Sequence, residues 1–453
     1  MKNAKNSILE SVGNTPLVRL GRLSEGLKAV LYAKVEYLNP GGSVKDRVAL
    51  KMVEEAEKSG LLQPGGTIIE ATAGNTGVGL ALVAAIRGYR CIFVMPDKMS
   101  EDKVSLLRAY GAEVVITPTS VPADSPESYN GVADRLSREI KGAFRPNQFE
   151  NPNNPLAHYL STGPEIWEDT GGELDVFVAG MGTAGTISGT AKYLKEKKPG
   201  VIVVGADIEG SILSGDTPKP WKVEGIGEDF IPKTFNRQVI DEMVRVTDKE
   251  SFNTARRLAR EEGILAGGSS GTALAGALKY AERLSERKNI VVLLPDTGRN
   301  YLTKMYSDRW MQENGFFETN SAKRTLVCEA LDYKAALPPL IAVGPDDSLA
   351  VAFEEMHKYN ISQLPVIDGH RSVGSLQEST LLKLVYDGID FQNQKVSAVM
   401  GKPLLTIDIC TEISEAYRLL LSGNNAVIMT ENGEPKSVLT RIDLIDFYAR
   451  RKP

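Results

Sequence analysis

Sulfur and imidazole are scarce in this chain, with three cysteines and three histidines in 453 residues. Cys91, Cys328 and Cys410 are odd in number and far apart, which argues against a disulfide framework or a thiolate metal site. His158, His357 and His370 are equally scattered, so no metal constellation is expected. Long apolar runs are missing too. The stretch 79–86 ends at Arg87 well short of a membrane span, and the first ten residues hold no secretory apolar core, so a cytoplasmic location is expected. Nor does one sign of charge prevail: 53 Lys and Arg face 58 Asp and Glu, a formal net charge of -5. Without a basic field, nucleic acid and anionic lipid are not expected partners. Lysine, hydroxyls, amides and a borrowed cofactor are left to carry any chemistry.

What is present is an alternation. From Ile8 to Gly315 short β-branched runs alternate with amphipathic segments of helical length, the pattern of α/β layers on a mostly parallel sheet. Strands are expected at 31–35, 67–71, 91–95, 113–117, 176–179, 201–207 and 290–294. The polar, aperiodic stretch 319–323 marks a boundary, giving a catalytic domain over 1–319, a linker over 320–335 and a further module over 336–453. That last part repeats itself. Twice an apolar strand leads to an amphipathic helix, a second strand, a turn (Asp368-Gly369, then Asn432-Gly433), a third strand and a helix, which suggests a pseudo-twofold unit.

Four segments of the first part hold chemistry-bearing residues. In Asn39-Pro40-Gly41-Gly42-Ser43-Val44-Lys45-Asp46-Arg47, Pro and two Gly make a turn, and Ser43 with Asp46 reads as a capping box opening a helix. Lys45 then lies in the first turn, where the helix dipole and Arg47 disfavour its charge; a lysine of lowered pKa is what a Schiff base requires. Taken alone, the segment reads at least as well as a solvated lysine at a helix start. In 70–77, the hydroxyls of Thr72 and Thr76 and the small Ala73 and Gly74 precede a helix, an anion site suited to a carboxylate or else an ordinary cap. Gly180, Gly182 and Gly185 satisfy G-x-G-x-x-G, with Asp207 closing the next strand, which would suit an NAD enzyme. A single phosphate needs the same loop amides, so the fingerprint does not choose. Finally, Thr297 follows the last strand, where a hydroxyl can reach a ligand at a sheet's carboxyl edge or simply shape a turn.

In this order the four segments resemble the fold-type II pyridoxal-phosphate enzymes of the cysteine synthase and cystathionine β-synthase group, over residues 7–317. The resemblance implies a tryptophan synthase β-like α/β fold of two open parallel-sheet subdomains. It implies pyridoxal 5'-phosphate carried on Lys45, with Asn75 at its phenolic oxygen and Thr297 at its pyridine nitrogen. Gly182, Thr183, Ala184, Gly185 and Thr186 would cradle the phosphate. Thr72, Ala73, Gly74 and Thr76, with Gln148 beside them, would hold the substrate carboxylate. The stretches 207–213 and 223–232, acidic at Glu224, Glu228 and Asp229, resemble the cystathionine β-synthases within the group. Three positions depart from the pattern: Ala73 stands where serine is usual, Ala184 where glycine is, and Phe149 where many cystathionine β-synthases have tyrosine. Gln148-Phe149 is more similar to a cysteine synthase.

Residues 340–448 resemble a pair of the small α+β regulatory repeats named after cystathionine β-synthase, a tandem or Bateman module that often binds adenosine derivatives. Thr440 and Asp443 fit the nucleoside pattern of the second repeat, with Ser437 in place of glycine; Gln377 and Thr380 hold those places in the first. A site for S-adenosylmethionine, AMP or ATP is implied, and a purely structural or dimerising module is the alternative. Haem, which animal members bind ahead of the catalytic domain, is not expected, because the Gly13 to Leu17 segment lies almost at the start. The activity implied is β-replacement: L-serine and L-homocysteine condense to cystathionine in a homo-oligomer, a dimer or tetramer. Hydrogen sulfide release from cysteine is a side reaction that this chemistry permits. A cysteine synthase joining O-acetylserine and sulfide is the alternative, and the NAD enzyme a third reading.

Overall fold

The structure is a computed structural model that describes residues 4–72, 74–97, 99, 101–118, 120–122, 125–317, 325–331 and 340–450. It divides into two compact units, Met1–Met311 and Gln312–Pro453. Among the described residues no helix is long and apolar enough to cross a membrane.

The first unit holds β1 (Leu17–Leu20), β2 (Ala29–Val35), β3 (Thr67–Ala71), β4 (Arg90–Pro96), β5 (Glu113–Thr117), β6 (Ala143–Phe144), β7 (Val176–Gly180), β8 (Ile202–Ile208), β9 (Glu242–Val246) and β10 (Lys288–Leu294). They form two sheets. One runs β1-β2-β10-β7-β8-β9, with only the β1–β2 pair antiparallel, and the other runs β5-β4-β3-β6, all parallel. All seven expected strands are present; apart from the edge strand β5 they are mostly buried, and strands covered on both faces read as continuous apolar runs. Every residue of β3 is buried. The three strands that the pattern did not announce lack that signature. β1 is largely exposed, β6 has two residues, and β9 carries Glu242 and Arg245.

Three helices set up the functional region. The helix Lys45–Lys58 buries Val48, Ala49, Met52, Val53 and Ala56, the stripe expected of a helix facing a core. It packs on the helix Asn75–Arg87 at Gly79, where a Cβ would stand 2.9 Å from both the Ala49 methyl and the Lys45 carbonyl oxygen. Only glycine lets the two backbones approach so closely. The third helix, Gly185–Lys197, starts from the loop at the carboxyl end of β7. Loops after β3, β7 and β10 thus open at strand carboxyl ends, where parallel sheets bind ligands.

In the second unit β11 (Gln363–Asp368) pairs antiparallel with β12 (Arg371–Gln377). β13 (Thr406–Asp408) runs parallel to β14 (Ala426–Glu431), which pairs antiparallel with β15 (Glu434–Thr440). The helices Glu378–Tyr386 and Arg441–Arg450 follow the two hairpins, so the repeat read from the sequence is a structural one. At the Asn432-Gly433 turn both residues have positive φ (55° and 83°), the primed turn that matches strand twist. The expected linker over 320–335 needs a correction. Leu326 bridges Glu412, and in the helix Val327–Leu331 the side chains of Val327 and Ala330 are buried with Ile413, Leu420 and Leu444, so residues 326–331 belong to the second unit's core. Residues 320–324 and 332–335 of that stretch lie outside the described residues.

Candidate active site

Lys45 is placed by the backbone on either side of it. Gly42 (φ +84°) turns the chain, and residues 42–44 zip against the end of β10. Val44 N–H donates to the Pro295 carbonyl (2.8 Å), Thr297 N–H donates to the Gly42 carbonyl (3.2 Å), and Ser43 bridges Asp296. The capping box expected at Ser43 and Asp46 does not form as drawn. Ser43 Oγ accepts the Lys45 N–H (3.2 Å), but Asp46 reaches back to the Gly41 N–H, so the carboxylate fastens the turn instead of the cap. Burial pushes the Asp46 carboxyl up to about 7.

Below Lys45 lies an ion network. Arg47 pairs with Glu36 (2.7 Å) and Glu165 (2.6 Å), and Glu165 also meets the buried Lys34 (3.0 Å), whose ammonium donates to the Thr15 carbonyl (2.6 Å). This bears on the reading of Lys45. Its pKa is lowered, as expected, but the cause differs: burial does it, while Asp296 and Glu228 pull the other way. Arg47, engaged by two carboxylates, is not among the causes.

Lys45 lines a cavity of about 790 Å³ together with Thr72, Gly74, Asn75, Thr76 and Gln148. It also lines a smaller one of about 30 Å³ with Gly182, Thr183, Ala184, Thr186 and Ser269. The structure therefore gathers the lysine, the carboxylate loop, Gln148 and the glycine loop from four separate stretches of sequence. Thr76 Oγ1 donates to Gln148 Oε1 (2.6 Å), so the expected neighbours are in contact. Ala73 lies outside the described residues. Asn75 Nδ2 donates to Asp296 Oδ2 (2.9 Å), which also accepts from Tyr301 (2.8 Å). Thr297 lines neither cavity, and its hydroxyl accepts the Arg299 N–H (3.3 Å).

The glycine loop is built for close approach. A Cβ on Gly182 would stand 2.7 Å from the Gly225 carbonyl oxygen, and one on Gly185 would collide with Asn154 Oδ1. Ala184 occupies the left-handed region (φ +57°) as the residue before the helix. Asn154 donates to Thr183 Oγ1 (3.1 Å) and to the Gln148 carbonyl (2.8 Å), coupling the glycine loop to the carboxylate loop. His158 Nε2 contacts Thr186 Oγ1 (3.2 Å) and its Nδ1 contacts Thr162 (2.8 Å); burial holds this ring well below its ordinary pKa, in the neutral form. Sequence reading missed Asn154, His158 and Asp296 as supports. It also missed Glu70, whose carboxylate accepts from Asn147 N–H (2.6 Å) and fixes the turn before Gln148. A charged residue ending the apolar run 67–71 was the available signal for Glu70.

The NAD reading fails on Asp207. That carboxylate is fully buried and accepts from Ile208 N–H (3.0 Å) and Ser214 N–H (2.9 Å), so no ribose can use it. A phosphate-bearing aldehyde does fit. The lysine is partly desolvated, its Nζ has no hydrogen-bond partner among the described residues, and loop amides at a helix start face the same space. Lys45 would hold such a group covalently and residues 182–186 would hold its phosphate. Among the described residues no group of three His, Cys, Asp or Glu side chains could hold a metal.

In the second unit Thr440 and Asp443 meet each other. Asp443 Oδ2 accepts from the Thr440 N–H (2.7 Å) and hydroxyl (2.6 Å), the geometry of a helix cap.

Comparison with known proteins agrees with this geometry. Residues 8–296 match the family profile described as pyridoxal-phosphate dependent enzyme, and residues 332–387 match that of the CBS domain. Cystathionine beta-synthase of Dictyostelium discoideum is 41% identical over 461 residues, a match covering 98% of this chain and 92% of the relative. Among solved structures, the O-acetylserine dependent cystathionine beta-synthase from Helicobacter pylori is 42% identical with a TM-score of 0.62, covering 66% of this chain and 98% of that one. A hydrogen sulfide-producing enzyme from Fusobacterium nucleatum is 40% identical with a TM-score of 0.63, covering 67% of this chain and 99% of that one.

Proposed function

The chain belongs to the pyridoxal-phosphate-dependent enzymes, in the cystathionine β-synthase family, and from that membership we propose that it condenses L-serine with L-homocysteine to cystathionine and water. The observation that carries this reading is the juxtaposition of a lysine amine with no partner among the described residues, a glycine loop at a helix start and a Thr/Gln-lined carboxylate loop around two cavities that share Lys45 and Thr183. Pyridoxal phosphate, when bound, supplies a carbonyl that links to the lysine amine and then an electron sink that acidifies the α-carbon of a bound amino acid.

The chain's own residues do the rest. Residues 182–186 offer backbone amides to a phosphate, and Asn154 and His158 keep Thr183 and Thr186 in place. Thr72, Gly74 and Thr76 at the start of the helix Asn75–Arg87 bind the substrate carboxylate, and Gln148 is steered toward it by Thr76 and Glu70. Asn75, anchored by Asp296, would meet the phenolic oxygen of the cofactor. Lys45 would hold the cofactor through its amine and would take the α-proton; burial lowers its pKa, which favours the neutral amine. Thr297, the contact proposed at the pyridine nitrogen, lines neither cavity; its hydroxyl accepts the Arg299 N–H and keeps its own proton to donate.

A second reading, cysteine synthase activity, is favoured by Phe149, which packs edge-on against Phe230 at 5.2 Å, beside Gln148. Product analysis separates the two. Cystathionine from serine plus homocysteine, at a rate exceeding cysteine formation from O-acetylserine plus sulfide, is the expected result, and the reverse order would overturn the first reading. Sulfide release from cysteine in the presence of homocysteine follows from the same steps, with hydrosulfide leaving in place of hydroxide. For the second unit we propose one adenosine-type effector at Thr440 and Asp443, and a homo-oligomer as the working form.

A further inference from the structure

The acidic stretch 224–229 contributes three carboxylates near the larger cavity, and their surroundings differ. Glu224 pairs with Lys103 and with Lys304 (2.5 Å), and Asp229 is exposed. Glu228 is half-buried, lines the cavity with Lys45, and has no hydrogen-bond partner for its carboxylate among the described residues. Its backbone is nevertheless fixed, for its N–H donates to Ser211 Oγ (3.1 Å) and its carbonyl accepts from Ile212 N–H (3.0 Å). A side chain held at its root and left without a partner in a reaction cavity is available to substrate. Four charged or titratable groups face it: Lys45 from the helix Lys45–Lys58, Tyr129 from the helix Tyr129–Glu139, Asp207 at the end of β8, and the adjacent Asp229. Burial, Asp229 and Asp207 push its carboxyl up to about 7 against the pull of Lys45, so both protonation states are populated near neutrality.

We propose that Glu228 is the acid that protonates the departing hydroxyl of serine and the base that then takes the proton of the homocysteine thiol. This rests on the β-replacement reading. In the first half the Cβ–O bond breaks, its electron pair stays on oxygen, and the Glu228 proton completes water. In the second half Glu228 carboxylate removes the thiol proton, and the sulfur electron pair forms the Cβ–S bond. Glu228 ends as it began, and Lys45 keeps the α-proton for return to the α-carbon. The carboxyl is thus a residue that selects serine, whose hydroxide is a poor leaving group, over substrates that need no proton to depart.

The test uses full-length holoenzyme and Glu228→Gln, following the cofactor absorbance on mixing with an amino acid and no thiol. With serine the first half-reaction is expected to slow about 100-fold. With O-acetylserine, whose acetate leaves unprotonated, it is expected to change less than about threefold, which also shows that the variant is folded and loaded. An independent readout is carbon-13 NMR of protein labelled at the glutamate carboxyls: Glu70 and Glu228 are both pushed up to about 7 by burial, and of the resonances titrating there one is expected to vanish in Glu228→Gln. A serine rate equal to wild type, equal slowing with both substrates, or no such resonance overturns the proposal. A wild type inert toward serine would sink the parent reading as well, and is a different outcome from an active wild type matched by the variant.

Discussion

Lys45 illustrates how a side chain acquires reactivity from what is missing around it. No carboxylate pairs with its Nζ among the described residues, and burial lowers its pKa, with Asp296 and Glu228 as the opposing charges. Replacing it by alanine removes the covalent anchor and the base together. Lys45→Ala is expected to lose the visible cofactor band and more than about 1000-fold in turnover, both measured on purified protein; a variant keeping band and rate would exclude Lys45. Ala184 poses a finer balance. Its left-handed backbone costs about 1 kcal/mol relative to glycine, while its buried methyl contributes about 0.8 kcal/mol. Ala184→Gly is therefore expected to change unfolding free energy by less than about 0.5 kcal/mol in urea titrations. The lysine and the loop glycines were legible in the sequence because turn chemistry is local. Asn154, His158 and Asp296 were not, since each acts on a partner far along the chain.

The helix Lys45–Lys58 is tethered at its start by ions. Burial alone would raise the Glu165 carboxyl, but the Arg47 hydrogen bond and charge, with Asn14 N–H and Lys34, overcome it and hold the pKa down from 4.5 to about 2. A folded pKa below the unfolded one means stability that is present above about pH 4.5 and lost as pH falls toward 2. A shift of that size corresponds to about 3 kcal/mol. Glu165→Gln is expected to lose about that much at pH 7 and progressively less of the difference below pH 4.5, read from denaturation midpoints; an equal deficit at pH 7 and pH 3 would rule out this linkage. Elements of this kind show where pattern reading ends. Periodicity located the helix and the strands around it, and Ser43 three residues before Asp46 suggested a cap. Which donor Asp46 would take depended on Gly41 folding back over it, a matter of backbone path.

The chain folds as two compact units, and the proposed effector belongs to the second. Calorimetry on the intact chain with S-adenosylmethionine, AMP and ATP is expected to give heat with at least one of them, and Asp443→Ala is expected to weaken that binding by about tenfold or more, the worth of one charge-assisted hydrogen bond. Because Asp443 also caps its helix through Thr440, the variant's melting temperature must be recorded beside its affinity. No heat from any of the three with the wild type would leave the second unit a structural module. Residue order alone established the α/β alternation, the internal repeat of the tail and the glycine turns, because apolar periodicity and positive φ are properties of short stretches of chain. It could not establish that β10 lies between β2 and β7, that Asp207 is buried against its own backbone, or that Glu228 and Lys45 line one cavity. The strand order and the shared cavity follow from packing between residues more than a hundred positions apart, and Asp207, though its partners are local, owes its burial to the same packing.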